Sequence, residues 1–203
     1  MYVEIERLSF IPTVMEYGRF QIQWQNIQHS GIIILMKEIK PEELGDNPFK
    51  LINNDWMLIT AEKDKKVNMM TASWGGLGIL WGKSVATVYI RKSRYTKELV
   101  DDGDRFSLCV LPEKFRSQLG YCGKASGRTE DKVAKTGLTV EHADSVPYFA
   151  ESRLVLVCRK LYVQPMNADC FADKAKNIVT ECYSDNDWHT MYIAEIEKVL
   201  VSE

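Results

Sequence analysis

Three short stretches carry the residue types from which a binding site is built. The first is Asn68-Met69-Met70-Thr71-Ala72-Ser73-Trp74-Gly75-Gly76. Small hydroxyl and alanine side chains at a strand end let a flat ligand approach the backbone, whose N–H and C=O groups then read its edge. Two glycines beside a tryptophan add close approach and an aromatic wall. The same letters also describe a strand that simply ends in a glycine turn. The second stretch, Arg91-Lys92-Ser93-Arg94-Tyr95-Thr96, places cations and hydroxyls just before a helix start. A helix N-terminus offers free N–H groups and the positive end of a dipole, so guanidiniums and hydroxyls there make a phosphate seat. A solvated basic turn in which Ser93 or Thr96 caps the helix is the plainer alternative. The third, Cys122-Gly123-Lys124-Ala125-Ser126-Gly127-Arg128 with Asp131-Lys132, is a Ser-Gly turn flanked by cations and is weak alone.

Other chemistries lack their residues. Gly76-Leu77-Gly78-Ile79-Leu80-Trp81 has a tryptophan where the third glycine of a dinucleotide fingerprint belongs, and there is no P-loop and no G-x-S-x-G elbow. His29, His142 and His189 form no metal-binding pattern, and the five cysteines (Cys109, Cys122, Cys158, Cys170, Cys182) include no C-x-x-C pair. An odd number of cysteines argues against a disulfide framework and is expected of thiols in a reducing cytoplasm, most of them small core hydrophobes.

The clusters must be held by the elements around them. Trp56–Ala61 reads as an apolar strand, Lys63–Lys66 as a charged turn, and Val67–Trp74 as the returning hairpin partner. Ser84–Ile90 is β-branched and predicts a third strand. A short helix over Thr96–Val100 ends at Gly103, and Phe106–Leu111 is another strand. Pro112 suits the first position of a helix running through Phe115 and Leu119 to Gly120. Thr129 is a candidate cap for a further helix that closes at Gly137. Arg153–Val163 and His189–Val201 are two long closing strands. Antiparallel strands with helices confined to connections predict a mainly β fold, a barrel rather than a doubly wound parallel sheet.

A chain of 203 residues, 45% hydrophobic and 27% charged, makes one ordinary domain that holds together without staples. The net charge of −2 leaves no electrostatic footprint for nucleic acid or anionic lipid. No apolar run approaches the roughly 18–20 residues of a membrane span, and the N-terminus does not read as a secretory signal. Residues 1–35 differ in texture: few charges, several glutamines, and one alternating stretch, Gln21–Gln25, that suits a strand. From Met36 the sequence resembles an ordinary protein start. Met36 is therefore a candidate initiator before a domain spanning 36–203, with a genuine packed extension over 1–35 as the alternative.

Taken together, Asn68–Trp74, Arg91-x-x-Arg94-Tyr95-Thr96, Cys122-Gly123, Ser126-Gly127-Arg128 and Asp131-Lys132 resemble the flavin reductase-like family of FMN-binding split barrels. The run Met70–Gly78 is similar to its flavoredoxin branch, and the resemblance covers roughly residues 45 to 201. It implies a six-stranded antiparallel split β-barrel, usually a homodimer, with FMN at or near the subunit interface. Carried over by residue, Asn68, Met70, Thr71, Ala72, Ser73 and Trp74 would line the flavin ring and ribityl chain. Arg91, Ser93, Arg94, Tyr95 and Thr96 would hold the phosphate, and Ser126, Gly127 and Lys132 would complete the pocket. His189 stands where the family often has a histidine, either facing the flavin or satisfied within the core.

FMN needs cations at one end and apolar walls at the other, and its ring carries the redox chemistry, so no catalytic triad is expected. The resemblance implies an FMN-dependent oxidoreductase moving electrons from NAD(P)H or a carrier to a flavin, a metal chelate or a partner protein; a pure electron carrier is within the same family. A barrel that binds partners without redox function is the alternative from another class. A nucleic-acid-binding barrel is disfavoured by the charge and by the lack of a basic aromatic face.

Overall fold

The computed structural model describes residues 35–203, so the alternation at Gln21–Gln25 and the reading of the preceding extension fall outside the described residues. Strand β1 (Met36–Ile39) leads through a 3-10 turn to α1 (Pro48–Lys50), which Asn47 caps by accepting from the N–H groups of Phe49 and Lys50. A π-helical turn, Leu51–Asp55, then delivers the chain to β2 (Met57–Lys63) and β3 (Lys66–Ala72). Strands β4 (Gly75–Leu80) and β5 (Lys83–Arg91) follow, then α2 (Tyr95–Asp102) and β6 (Arg105–Val110). After α3 (Arg116–Lys124) and α4 (Lys132–Thr136) come β7 (Val140–Ala143), β8 (Val146–Phe149), β9 (Leu154–Pro165), α5 (Lys176–Tyr183) and β10 (His189–Ser202).

All pairings are antiparallel, and the hydrogen-bonded order is β3-β2-β6-β9-β10-β5-β4, with β1 also on β10. The path β3-β2-β6-β9-β10-β5 supplies the six barrel strands, and β4 and β1 extend it to eight. Strands β3 and β4 stand at opposite ends of that path, yet only Ser73 and Trp74 separate them in sequence. Two residues span too little to bridge an open sheet, so the sheet must curl until its ends meet. Strand β10 assists by pairing β5 along its first half and β1 along its last residues. Two register shifts against β9, after Ile193 and after Ile196, bend it between.

The barrel interior holds Ile59, Met70, Ala72, Val88, Ile90, Phe106, Leu108, Leu156 and Tyr192, with Leu99 and Val100 of α2 packed against them. A second layer lies outside the strands, where Leu58, Met69, Cys109, Val155 and Val157 meet Leu119 and Cys122 of α3 and Phe149 of β8. Burial on both faces explains why Trp56–Ala61 is apolar at every position but Thr60 rather than alternating. Cys109, Cys122 and Cys158 are buried in these layers, whereas Cys170 is exposed and Cys182 partly so.

Three hairpins turn on two residues with positive φ: Asp64-Lys65, Trp81-Gly82 and Asp144-Ser145. Mirror-image turns of this kind match the twist of paired strands. The charged turn predicted at Lys63–Lys66 is the first of them. Elsewhere the local expectations shift. The Val67–Trp74 strand stops at Ala72 because β4 needs Gly75 close to β5: a Cβ on Gly75 would lie 2.7 Å from the Thr87 carbonyl oxygen. Pro112 precedes a 3-10 turn, and the helix after it runs past Gly120 to Lys124. Asp131, not Thr129, caps α4 by accepting from the Ala134 N–H, although the chain does leave that helix through a left-handed Gly137. Strands β1, β4, β7 and β8 and helix α5 are additions to the predicted elements.

Candidate functional site

The turn between β5 and α2 packs against the turn after α3. Ser93, Arg94, Tyr95 and Thr96 from the first, Lys124 to Gly127 from the second, and Lys132 at the start of α4 line a small pocket of about 80 Å³. Arg94 is the N-cap residue of α2 and makes no side-chain cap hydrogen bond, and Glu98 is the acidic residue of that first turn. The Arg94 guanidinium donates to the Cys122 carbonyl (3.2 Å). Lys132, only 3% exposed, donates to the carbonyls of Cys122 and Ala125, both at 3.3 Å. Neither cation has a carboxylate within ion-pairing distance among the described residues. Burial, with the like charge of Arg94 added, pushes the Lys132 amine down to about 8, and burial also lowers Arg94. Two positive charges side by side in a concave site, bonded only to carbonyls and with the Asp187 and Glu130 carboxylates acting on them from beyond contact, leave it without a contacting anion.

Asn68 joins this pocket from β3 by donating to the Thr96 hydroxyl (2.8 Å). Its amide also explains Gly127, where a Cβ would sit 2.1 Å from Asn68 Oδ1 and 2.9 Å from the Tyr95 ring. Tyr95 is flanked by Lys66 (4.8 Å) and Arg128 (5.4 Å), and Arg128 also pairs with Glu98. Ser93 and Ser126 spend polar groups on protein partners, Ser126 within its own turn and Ser93 across to the β9–β10 connection. Ser93 N–H and Oγ donate to the Asp187 carboxylate (3.0 and 2.6 Å), and Ser126 Oγ accepts from the Arg128 N–H (3.3 Å).

A second, larger cavity of about 650 Å³ opens where β3 passes into β4. Pro48, Phe49 and Ile52 wall it from the α1 region, Ser73, Trp74 and the β4 glycines from the barrel seam, and Tyr89, Met166 and Tyr183 from the far side. No charged side chain lines it. Trp74 is half exposed and its ring centre lies 5.2 Å from that of His189. His189 is buried, with Nδ1 2.9 Å from the Tyr183 hydroxyl; burial and then the nearby Arg91 charge push it down to about 4, so the imidazole is neutral at ordinary pH.

The predicted residues thus divide. Ser93, Arg94, Tyr95, Thr96, Ser126, Gly127 and Lys132 converge on the small pocket, with Asn68 at its edge. Ser73 and Trp74 line the large cavity, and His189 lies behind Trp74. Thr71 instead donates to the Leu119 carbonyl of α3 (2.6 Å), and the Met70 and Ala72 side chains point into the barrel core, so these two have only backbone to offer a ligand. Arg91 is not brought to the small pocket: its guanidinium donates to the carbonyls of Asp187 (2.8 Å) and Cys182 (3.0 Å). Residues beyond the predicted set are Phe49, Tyr89, Met166, Tyr183, Lys124 and Asp187. None sits in a recognisable local pattern; Phe49, 83% exposed, is notable only once its exposure is known.

A profile of the "Flavin reductase like domain" family matches residues 49–203. The chain belongs to that family. Among curated proteins no relative matches. Solved structures share the fold. One is flavoredoxin of Desulfovibrio vulgaris (Miyazaki F), with 24% identity over 81% of this chain and 78% of that one and a TM-score of 0.57. Another is an FMN-binding domain of a flavin reductases-like enzyme from Shewanella baltica, with 17% identity, 84% and 78% coverage and a TM-score of 0.61. A flavin reductase described as having a split barrel domain, from Shewanella frigidimarina, matches at 17% identity, 76% and 72% coverage and a TM-score of 0.58. The mainly antiparallel split barrel is therefore the fold of this chain, and family membership supports a flavin-related oxidoreductase role. Among the described residues no helix is long and apolar enough to cross a membrane.

Proposed function

We propose that this protein is an FMN-binding oxidoreductase. The observation that carries the reading is the pairing of two un-ion-paired cations, Arg94 and Lys132, with an uncharged aromatic cavity at the end of β3. FMN has that same polarity, a phosphate dianion at one end and a flat ring at the other. The Shewanella baltica neighbour is FMN-binding by its description, and the same cofactor suits the residues here.

Arg94, Lys132, Thr96 and the Ser126-Gly127 turn would hold the phosphate, with the α2 N-terminus adding its dipole. The β3 backbone through Asn68–Ala72, with Ser73 and Trp74, would border the ring. When bound, FMN supplies the hydride and electron transfer, so the chain's own residues bind, orient and exclude water. Trp74, Tyr183 and Phe49 keep the cavity apolar. His189 stays neutral and holds the Tyr183 hydroxyl, fixing that wall. The donor is NAD(P)H or another electron carrier, and the acceptor a flavin, a metal chelate or a partner protein. Ile79, Leu80 and Trp81 at the β4–β5 hairpin, with Tyr162 and Val163 of β9, form an exposed apolar surface that supports a homodimer.

The deciding experiment is the visible spectrum of the purified protein, followed by denaturation and identification of the released chromophore. Oxidised-flavin bands and free FMN are expected. A colourless protein that does not take up added FMN refutes the proposal. NADH and NADPH oxidation by the loaded protein then separates a reductase from an electron carrier.

A further inference from the structure

The basic run Arg91–Thr96 reads in sequence as one seat, but its side chains serve two sides of the turn. Arg94 and Thr96 face the small pocket, Arg91 faces the segment that connects β9 to β10, and Ser93 borders the pocket while bonding to that segment. That connection, residues 166–188, carries α5 and is tied to the turn by a concentrated set of bonds. Arg91 Nη1 donates to the Asp187 carbonyl and Nη2 to the Cys182 carbonyl. The Lys92 N–H donates to the Trp188 carbonyl (3.1 Å), and Ser93 gives both its donors to the Asp187 carboxylate. Cys182 lies in the last turn of α5, whose C-terminal carbonyls have no partner within their own helix. A guanidinium there satisfies one of them and complements the negative end of the helix.

What this tie fixes is one wall of the large cavity. Arg91 sits 5.6 Å over the Tyr183 ring, Trp188 stacks on that ring at 4.2 Å, and Tyr183 and Met166 both face the cavity. Apart from the tie, α5 buries only Tyr183, whose hydroxyl meets His189 Nδ1 (2.9 Å), and the Met166 N–H donates to the His189 carbonyl (3.0 Å). We propose that Arg91 is a positioning residue rather than a phosphate ligand: with Asp187 it latches the 166–188 segment so that Tyr183 walls the apolar cavity, and the pair thereby sets which flat, uncharged reaction partner the site accepts. The inference rests on the FMN reading for where the phosphate and the ring lie and for the reactivity readout.

The test compares wild type with Arg91→Ala, with Asp187→Asn as the gentler variant should the first fold poorly. Three quantities are measured on the full chain: amide hydrogen exchange over 176–188, the FMN dissociation constant, and reoxidation of the photoreduced, FMN-loaded protein. The two oxidants are duroquinone, flat and uncharged, which takes two electrons and two protons to its hydroquinone, and ferricyanide, which takes single electrons without entering an apolar cavity. Exchange at least tenfold faster, an FMN dissociation constant within threefold of wild type, and a fivefold or greater loss of the duroquinone rate with the ferricyanide rate unchanged are expected. A tenfold or greater loss of FMN affinity with unchanged exchange makes Arg91 a phosphate ligand and overturns the proposal. Equal effects on both oxidants, or none, overturn the role in setting the partner. Should the wild type bind no FMN, the functional reading fails separately, and the exchange comparison still decides the latch.

Discussion

Replacing Arg94 by alanine separates a ligand-binding charge from a structural one. In the folded chain this guanidinium is half-buried and makes one long bond, 3.2 Å to the Cys122 carbonyl, with no carboxylate partner. Its removal therefore takes away an unanswered charge beside Lys132 and leaves behind only a carbonyl that Lys132 also reaches. The FMN-free variant should unfold at a temperature no lower than wild type. With a phosphate in the pocket the balance reverses, because a charge-assisted hydrogen bond contributes about 1.5–3 kcal/mol. At a factor of ten per 1.4 kcal/mol, the dissociation constant for FMN should rise roughly 10- to 150-fold. Fluorescence titration of FMN into the apoprotein gives the constant, and thermal unfolding without FMN gives the control. An affinity within twofold of wild type would remove Arg94 from the site, and a large fall in the unfolding temperature would make it a fold residue instead.

Other expectations concern neighbouring positions. The Lys132 amine, held near pH 8 in the free protein, is raised by a bound phosphate dianion, so FMN affinity should fall as pH rises from about 8 towards 10 and Lys132→Met should flatten that dependence. The same depressed value means the unfolded chain binds more protons than the folded one between pH 8 and 10.5, so this group makes the apoprotein more stable as pH rises through that window. Ala72→Phe inserts a ring into the barrel core rather than into the ligand site and should cost about 1–3 kcal/mol in a denaturant titration; unchanged stability would mean that Ala72 faces the ligand after all. Trp81→Asp, on the exposed hairpin tip, should shift the protein from dimer to monomer in size-exclusion chromatography with light scattering, and an unchanged mass would place the interface elsewhere.

Local patterns were legible wherever a segment's burial followed from its own letters. The apolar run Trp56–Ala61, the β-branched Ser84–Ile90 and the stop at Gly137 all correspond to observed elements. The strand Gly75–Leu80 was not legible, because its glycines disfavour a strand and it exists through pairing with β5. Strands β7 and β8 are four residues each and offer too little periodicity to read. Helix α5 has one buried side chain, Tyr183, which meets His189, and a further anchor comes from Arg91, far away in sequence.

Residue type and short spacing were enough to read a mainly β domain, the three polar clusters, and the lack of a dinucleotide fingerprint, a P-loop and a serine-hydrolase elbow. Both survive without coordinates. Which side chain of a cluster faces which neighbour was decided by the tertiary structure alone. Met70 and Ala72 point inward because a strand alternates its faces and the barrel closes over that one. Arg91 and Arg94, three residues apart in one basic run, part company because the 166–188 segment arrives on one side of their turn and the α3–α4 connection on the other. The direction of a side chain depends on what long-range packing brings to it, and no local spacing encodes that.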